Sequence, residues 1–563
     1  MVPEREPDRL DAFGLHEAKT KIAEVVIVAG RDGELDPSHE APDEAMTRNT
    51  TIPVPPAGDD QEAVLRLLAD PATFGGAEVR RFDTHAASVF LAGDRALKVK
   101  RAVRFPFLDY STLAKRKDAC AGEIEANRPF APQLYRGVVA ITRERDGSLV
   151  LGGKGTPVEW AVEMRRFDET CTLDRLADAG KIDLALADRL ARAVAAAHAR
   201  APVVEAGPWL AALERYIGRN DAAFRAEPDL FAPAAAERLN RSSRAALARV
   251  LPLLTARGEQ GLVRRGHGDL HLGNVALIEG EPVAFDAIEF DPVIASGDVL
   301  YDLAFLIMDL IERGLTAAAN MVLNRYLLET RRVDDFDALA ALPLLLSLRA
   351  AIRAMVTAER AARAADSDRV AIRDAARTYF DLACRLIDPQ PPRLVAIGGL
   401  SGTGKSVVAR ALAPELPPAP GAVVLRSDVE RKARFGVGEN ERLPAEAYAL
   451  EVTAALYAEL VEKARRIVAA GHSVIVDAVY ARPHERAAIA AAGPPFHGLF
   501  LTADLPTRLA RVTRRTADAS DADATVARVQ EDYGLGRFED PWTLLDASGT
   551  PEETLARAEA ALR

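Results

Sequence analysis

Two short stretches of this 563-residue chain collect residue types that could do chemistry, and both point to phosphate. The first is Gly399-Leu-Ser401-Gly402-Thr403-Gly404-Lys405-Ser406. Its glycines allow consecutive backbone N–H groups to turn into one concavity, as a polyphosphate requires, and Ser401 and Thr403 complete the cradle. Lys405 has the reach and charge for β- and γ-phosphates, and the Ser406 hydroxyl is placed to hold Mg²⁺. An apolar run (RLVAIGG) precedes the stretch and a helix-forming run (VVARALA) follows it. The loop therefore opens a helix, whose N-terminus favours anions. A chance glycine-rich turn would lack both flanks. Two carboxylates follow strand-like runs, Asp428 after VVLRS and Asp477 after SVIV. Ligands bind at the carboxyl ends of parallel strands. Asp477 suits a place near Mg²⁺, and Asp428 could take the proton of an acceptor hydroxyl. Asp428 also precedes VERKARF, so a helix cap is its simpler role.

The second stretch is His267-Gly-Asp269-Leu-His271-Leu-Gly-Asn274. Its D-x-x-x-x-N separation matches the catalytic loop of protein kinases, in which the aspartate accepts the acceptor's proton and the asparagine holds Mg²⁺. Asp286, in PVAFDAIEF, is placed to bind the same metal from a nearby strand. Such chemistry also needs a lysine on the α- and β-phosphates and a glutamate to orient it. ALKVKR offers Lys98 and Lys100, which share one strand face, and the next helix offers Glu123 and Glu125. Lys98 and Glu123 are preferred. A zinc site from the alternating His267, Asp269 and His271 is the competing reading. Asn274, Asp286 and Asp302 weigh against it.

The elements around these residues fall into two patterns. Strand-like stretches at Glu78–Phe82, Ser88–Ala92, Ala96–Lys100 and Val158–Met164, with a helix near Thr112–Arg128, give way to helices up to about Leu386. That order predicts a small β-rich lobe on a helical lobe. After Asp388–Pro392 (DPQPP), strands and helices alternate, with a helix over Ala445–Ala469, as in a parallel α/β sheet. Residues 1–60 carry a net charge of −8 out of −11, so the remainder is nearly neutral. That segment is Pro-rich and reads as disordered, except for the apolar Ile22–Ala29. The near-neutral body predicts no general affinity for nucleic acid or membrane. Cys120, Cys171 and Cys384 are far apart and form no CxxC pair, which fits a reducing compartment. No uninterrupted apolar run reaches the ~18 residues of a membrane span.

Further on, Arg508, Arg511, Arg514 and Arg515 stand at helical spacing before an acidic run, ADASDADA. This resembles the mobile lid of small-molecule P-loop kinases such as gluconate kinase, and of polynucleotide kinases. The resemblance implies that lid arginines, Arg511 and Arg515 among them, meet developing phosphoryl charge. A solvated helix face is the plainer alternative. Residues 75–385 resemble the aminoglycoside phosphotransferase family through the 267–274 motif, Asp286 and Gly297-Asp298…Tyr301-Asp302-Leu-Ala. That resemblance implies a kinase-like fold, Asp269 as base, Asn274 and Asp286 as metal ligands, Asp302 as support of the catalytic loop, and a packing or capping role for His198. Two departures stand out. THAASVFLAGD holds no GxGxxG, and FDAIEFD has Ala287 and no glycine at the metal strand. As a whole, residues 60–563 resemble bacterial proteins described as bifunctional aminoglycoside phosphotransferase/ATP-binding proteins.

The expected architecture is of α/β and α+β class. It comprises a disordered extension at 1–60, a protein-kinase-like bilobal domain at 61–387, a linker at 388–392 and a nucleoside-kinase-like P-loop domain at 393–563. The expected activity is transfer of the ATP γ-phosphoryl group, with Mg²⁺, to a hydroxyl of a small molecule in the cytoplasm. A nucleotide-regulated signalling or binding protein with one silent half is an alternative, supported by the missing glycine-rich loop. A nucleic-acid end kinase in the P-loop half is another.

Overall fold

The computed structural model describes residues 59–563 except 85, 106–107, 494 and 515–518. All but the last two residues of the expected disordered extension, Ile22–Ala29 included, and Arg515 lie outside the described residues. The chain forms two compact units. Of the described residues, one comprises those up to Glu237 with Thr255–Asp309 and Arg349–Asp381; the other comprises Arg238–Leu254, Leu310–Leu348 and Leu382–Arg563.

The first unit opens with strands β1 (Val79–Asp83), β2 (Ala87–Ala92) and β3 (Arg95–Lys100), then the short pair β4 (Arg104–Phe105) and β5 (Leu108–Asp109). Strands β6 (Tyr135–Arg143), β7 (Leu149–Leu151) and β8 (Thr156–Arg165) complete an antiparallel sheet in the order β1-β2-β3-β8-β6-β7. Alternation along β3 explains its two faces. Leu97 and Val99 join Phe90, Ile141 and Ala161 in an apolar core with Val64 and Leu68, whereas Lys98 and Lys100 turn to the other side. The Leu113–Asn127 helix carries Glu123 to them, and its first turn is capped by the Thr112 hydroxyl, which accepts Lys115 N–H. Strands β6 and β7 are additions to the sequence reading. Their connection is the Asp146-Gly147 turn, where Ser148 N–H donates to Asp146 Oδ1 at 3.0 Å.

The helical part of this unit is interrupted by two small antiparallel ladders. Strand β9 (Val263–Arg265) pairs with β12 (Ser296–Asp298), and β10 (Val275–Ile278) pairs with β11 (Glu281–Ala284). The 267–274 stretch bridges β9 and β10, so both ends of it are pinned by sheet hydrogen bonds.

The second unit is built on a parallel sheet: β13 (Leu394–Gly399), β14 (Val423–Arg426), β15 (Val474–Asp477), β16 (Phe496–Thr502) and β17 (Trp542–Asp546) in the order β14-β15-β13-β16-β17. Val395, Ile397, Ile475, Leu499 and Leu501 pack with Val408 and Leu412 of the helix that follows β13. The expected Ala445–Ala469 helix is a 3₁₀ turn over Ala445–Tyr448 and then a helix over Leu450–Ala469.

A single cut at 388–392 does not describe this division, because Leu310–Leu348 packs with the P-loop sheet. The reason lies at the sheet's edge. Strand β14 is an edge strand, whose unpaired backbone groups need covering. On the Thr316–Thr330 helix, Asn320 and Asn324 donate to Ala422 O at 3.0 and 3.1 Å, and Asn324 Oδ1 accepts Val424 N–H at 2.7 Å. Among the described residues one helical run, Asp334–Ala362, is long and apolar enough to cross a membrane (mean hydropathy 1.7 over its most apolar 18 residues), but 83% of that window is buried inside the protein. Arg349 and Arg353 interrupt its apolar pattern.

Candidate active sites

In the first unit the backbone of the 267–274 loop is held from below by Asp302, on the Val299–Glu312 helix. Asp302 Oδ2 accepts His267 N–H at 2.7 Å, Oδ1 accepts Gly268 N–H at 3.0 Å, and His198 Nε2 lies 3.2 Å from Oδ2. Burial works to raise this carboxyl. The His198 hydrogen bond and the His198, His267 and Arg349 charges outweigh it and hold the group down to about 2. Arg349 donates to Gly268 O at 3.1 Å and lies 3.7 Å over the Tyr301 ring. His198 and Asp302 thus brace the loop.

On the loop itself, Asn274 Nδ2 donates to both Asp269 O and Asp269 Oδ2 at 3.0 Å. Asn274 Oδ1 is buried without a hydrogen-bond partner. Asp286 follows β11 with φ 61°, a left-handed conformation that a non-glycine residue adopts at a cost. Its N–H is anchored on Tyr135 Oη at 3.1 Å, and its Oδ1 meets Lys98 Nζ at 3.1 Å. Lys98 also donates to Glu123 at 2.8 Å. Burial alone would lower the Lys98 ammonium, and the Asp286 and Glu123 carboxylates more than reverse it. Glu125, two residues along the same helix, is exposed.

Lys100 and Glu289 also belong to this cluster. Lys100 donates to Glu123 at 2.5 Å and to Glu289 at 2.8 Å, and all four side chains of the Lys98, Lys100, Glu123, Glu289 set are buried. The two-residue spacing of the lysines was the available signal for Lys100; nothing local marked Glu289. Beside Lys98 and Asp286 lies a cavity of about 90 Å³ with an apolar lining that includes Val89, Leu91, Met164 and Phe285. Among the described residues, no group of three or more His, Cys, Asp or Glu is arranged to hold a metal ion, so His267, Asp269 and His271 form no such cluster.

In the second unit the loop 399–406 leaves the central strand β13. Gly402, at φ 88°, lies so close to Arg508 that a Cβ would stand 2.5 Å from its carbonyl oxygen. The loop's tight approach therefore depends on glycine there. Ser406 Oγ donates to Asp477 Oδ2 at 2.5 Å, and Arg426 is 3.4 Å from the same oxygen. The sheet register explains this: Asp477 on β15 lies beside Ile397 on one side and Arg426 on the other. Lys405 Nζ reaches Leu400 O at 3.3 Å, and Ser401 N–H donates to Gln530 Oε1 at 2.7 Å. Asp428 stands in the first turn of the Ser427–Arg434 helix. Burial raises its carboxyl, the Asp477 charge adds to this, and Lys405 and Arg426 oppose it. A cavity of about 1070 Å³ opens over the loop, lined by Lys405, Ser406, Asp428, Asp477 and Arg511 among others.

Arg508 is buried and donates to Glu531 and to Ala527 O, a structural position. Arg511 lines the cavity, but its guanidinium donates to Ala547 O at 2.8 Å and Gly549 O at 2.7 Å. It ties its helix to the turn after β17. Gln530 and Arg426, which sequence spacing did not single out, contact Ser401 and Asp477.

The chain thus joins a two-lobed unit of protein-kinase type to a parallel-sheet unit of P-loop type. Residues 394–540 match the family model described as AAA domain. Over 491 residues the chain is 30% identical to the uncharacterized proteins Rv2004c of Mycobacterium tuberculosis and Mb2027c of Mycobacterium bovis, covering 84% of this chain and 94% of each of them. It belongs to the family these proteins represent. Solved structures similar to parts of it include a sugar kinase from Janibacter sp. (22% identity, 31% of this chain and 95% of that one, TM-score 0.24). A choline kinase from Cryptosporidium parvum is 10% identical and covers 58% of this chain and 94% of its own, with TM-score 0.38.

Proposed function

We propose that the chain is an ATP-dependent phosphotransferase with two nucleotide sites, and that its kinase-like unit moves the γ-phosphoryl group to a hydroxyl of a small molecule. The observation that carries this is the meeting of Lys98, Glu123 and Asp286 with a catalytic loop in which Asn274 clasps Asp269. Lys98, held by Glu123, would bind the α- and β-phosphates. Asp269 would take the acceptor's proton as its oxygen bonds to phosphorus and ADP departs. The partnerless Asn274 Oδ1 suits a cation, and with Asp286 it would hold Mg²⁺, which would neutralise charge on the phosphates. In the P-loop unit, Lys405 would bind the phosphates, Ser406 and Asp477 would hold Mg²⁺, and Asp428, with its raised affinity for a proton, would serve as base.

A second reading has a specific observation in its favour. The cavity beside Lys98 is about 90 Å³, against about 1070 Å³ over the P-loop, and ligand sites commonly need about 300 Å³ or more. In that reading the kinase-like unit is the catalytically silent half, and nucleotide bound over the P-loop regulates the protein. Transfer of ³²P from γ-labelled ATP into fractionated cell extract decides between them. Wild type should label a small molecule, and in a Lys405→Ala background, which silences the P-loop unit, Asp269→Asn should lose about 100-fold or more of the remaining transfer, as expected for a positioned base. Lys405→Ala should lower bound ATP from about two to about one per chain. Retention of more than about a tenth of the transfer by Asp269→Asn would refute the assignment of the base.

A further inference from the structure

The assignments above leave His271 unused, although its surroundings give it a defined chemical form. The ring is buried, with 8% of the residue's surface exposed. Its Nδ1 accepts Gly273 N–H at 3.1 Å and so caps the Leu272–Asn274 3₁₀ turn. A ring nitrogen that accepts carries no proton, so the hydrogen of the neutral ring is on Nε2. Nε2 is buried and has no hydrogen-bond partner. It lies 3.7 Å from Asp269 Oδ2, too far for a hydrogen bond but beside the carboxylate assigned as base. The ring is held in place: Phe305 lies 5.6 Å away, and at Gly273 a Cβ would stand 2.9 Å from His271 Cε1. A fixed, dry N–H donor next to the base is expensive to maintain unless a ligand uses it.

We propose that His271 is a further catalytic residue of the kinase-like site, whose Nε2–H donates to an oxygen of the phosphoryl group in transit. This rests on the phosphotransferase reading of that site. In the step, the acceptor oxygen bonds to phosphorus, the bond from phosphorus to the β-phosphate oxygen of ADP breaks, and the hydroxyl proton passes to Asp269. His271 keeps its proton throughout. Charge in such a loose transition state spreads over the phosphoryl oxygens, and a donor fixed in advance favours that state over the bound substrate.

The competing role is the cap alone, and two variants separate them. His271→Asn places an amide near the Nδ1 position, keeping the cap and losing the distal donor. His271→Gln reaches the Nε2 position, keeping the donor and losing the cap. The full chain carrying Lys405→Ala, so that the P-loop contributes little, is titrated with MgADP and with MgADP plus aluminium fluoride, a mimic of the phosphoryl group in transit. His271→Asn should lose about 10- to 100-fold in affinity for the fluoride complex, and less than about threefold for MgADP. His271→Gln should retain most of the affinity for both. ¹⁵N spectra should show the Nε2-protonated ring before ligand and a shift of that resonance on adding aluminium fluoride. A His271→Asn protein that binds the fluoride complex like its parent, a Gln variant that alone fails, or an Nδ1-protonated ring would each overturn the proposal. A parent that binds no MgADP would overturn the phosphotransferase reading itself, and this proposal with it.

Discussion

Glu123→Gln is the sharpest probe of the kinase-like site, because it keeps the shape of the side chain and removes its charge. Glu123 has no exposed surface and receives Lys98 Nζ at 2.8 Å and Lys100 Nζ at 2.5 Å. Beyond the lysines lie Asp286 at 3.1 Å and Glu289 at 2.8 Å. Two ammoniums and three carboxylates thus share one dry space, and both lysines are held above their ordinary range despite burial. A charge-assisted hydrogen bond contributes about 1.5–3 kcal/mol, and breaking one member of a buried pair costs about 3–5 kcal/mol. Each lysine keeps a second carboxylate, so about 3 kcal/mol is expected, the low end of that range. For a domain of this size ~1 kcal/mol moves Tm by about 2–4 °C, so the transition of this unit should fall by about 6–12 °C. Glu125→Gln, at an exposed position on the same helix, should stay within about 0.5 kcal/mol of wild type. Calorimetry of the full chain at neutral pH resolves the two. Equal transitions for Glu123→Gln and Glu125→Gln would show that the cluster does not bind Glu123 as described.

Two pH effects follow from other buried groups. Asp302 is held down to about 2, so its stabilisation is complete above the ordinary carboxylate value and is lost as pH falls through about 2. Asp302→Asn should remove about 2 kcal/mol of that acid dependence, read from urea midpoints at pH 5 and pH 2.5; equal slopes in variant and wild type would contradict it. His472, buried and 2.9 Å from Gly421 O, is pulled by desolvation from 6.5 to about 4. The folded state therefore holds it neutral, and stability present above pH ~6.5 is lost progressively as pH falls to about 4. His472→Gln should flatten that loss by about 3 kcal/mol, measured by hydrogen exchange of β15 at pH 7 and pH 4.5, and an unchanged pH dependence would refute it.

Local chemistry was legible wherever a site is made of consecutive residues. The 399–406 loop and the Asp269–Asn274 spacing are backbone devices, so residue type and separation define them without knowledge of the rest of the chain. The periodicity of β3 likewise showed that Lys98 and Lys100 share a face. The Asp146-Gly147 turn was written in the sequence too, and strands β6 and β7 around it could have been read from it. Other features depended on contacts across long stretches of chain. Glu123 takes the lysines while Glu125 faces solvent because of how one helix is rotated against the sheet. Lys98 meets Asp286 across 188 residues, and Lys100 meets Glu289 across 189. Arg511 meets carbonyl oxygens at 547–549, which no local spacing announces. Asn320 and Asn324 gave no sign of covering strand β14, about a hundred residues away. Spacing constrains only what the local backbone can place together. Which distant surfaces bury each other, and so which of several equivalent side chains becomes functional, is settled by packing of the whole unit.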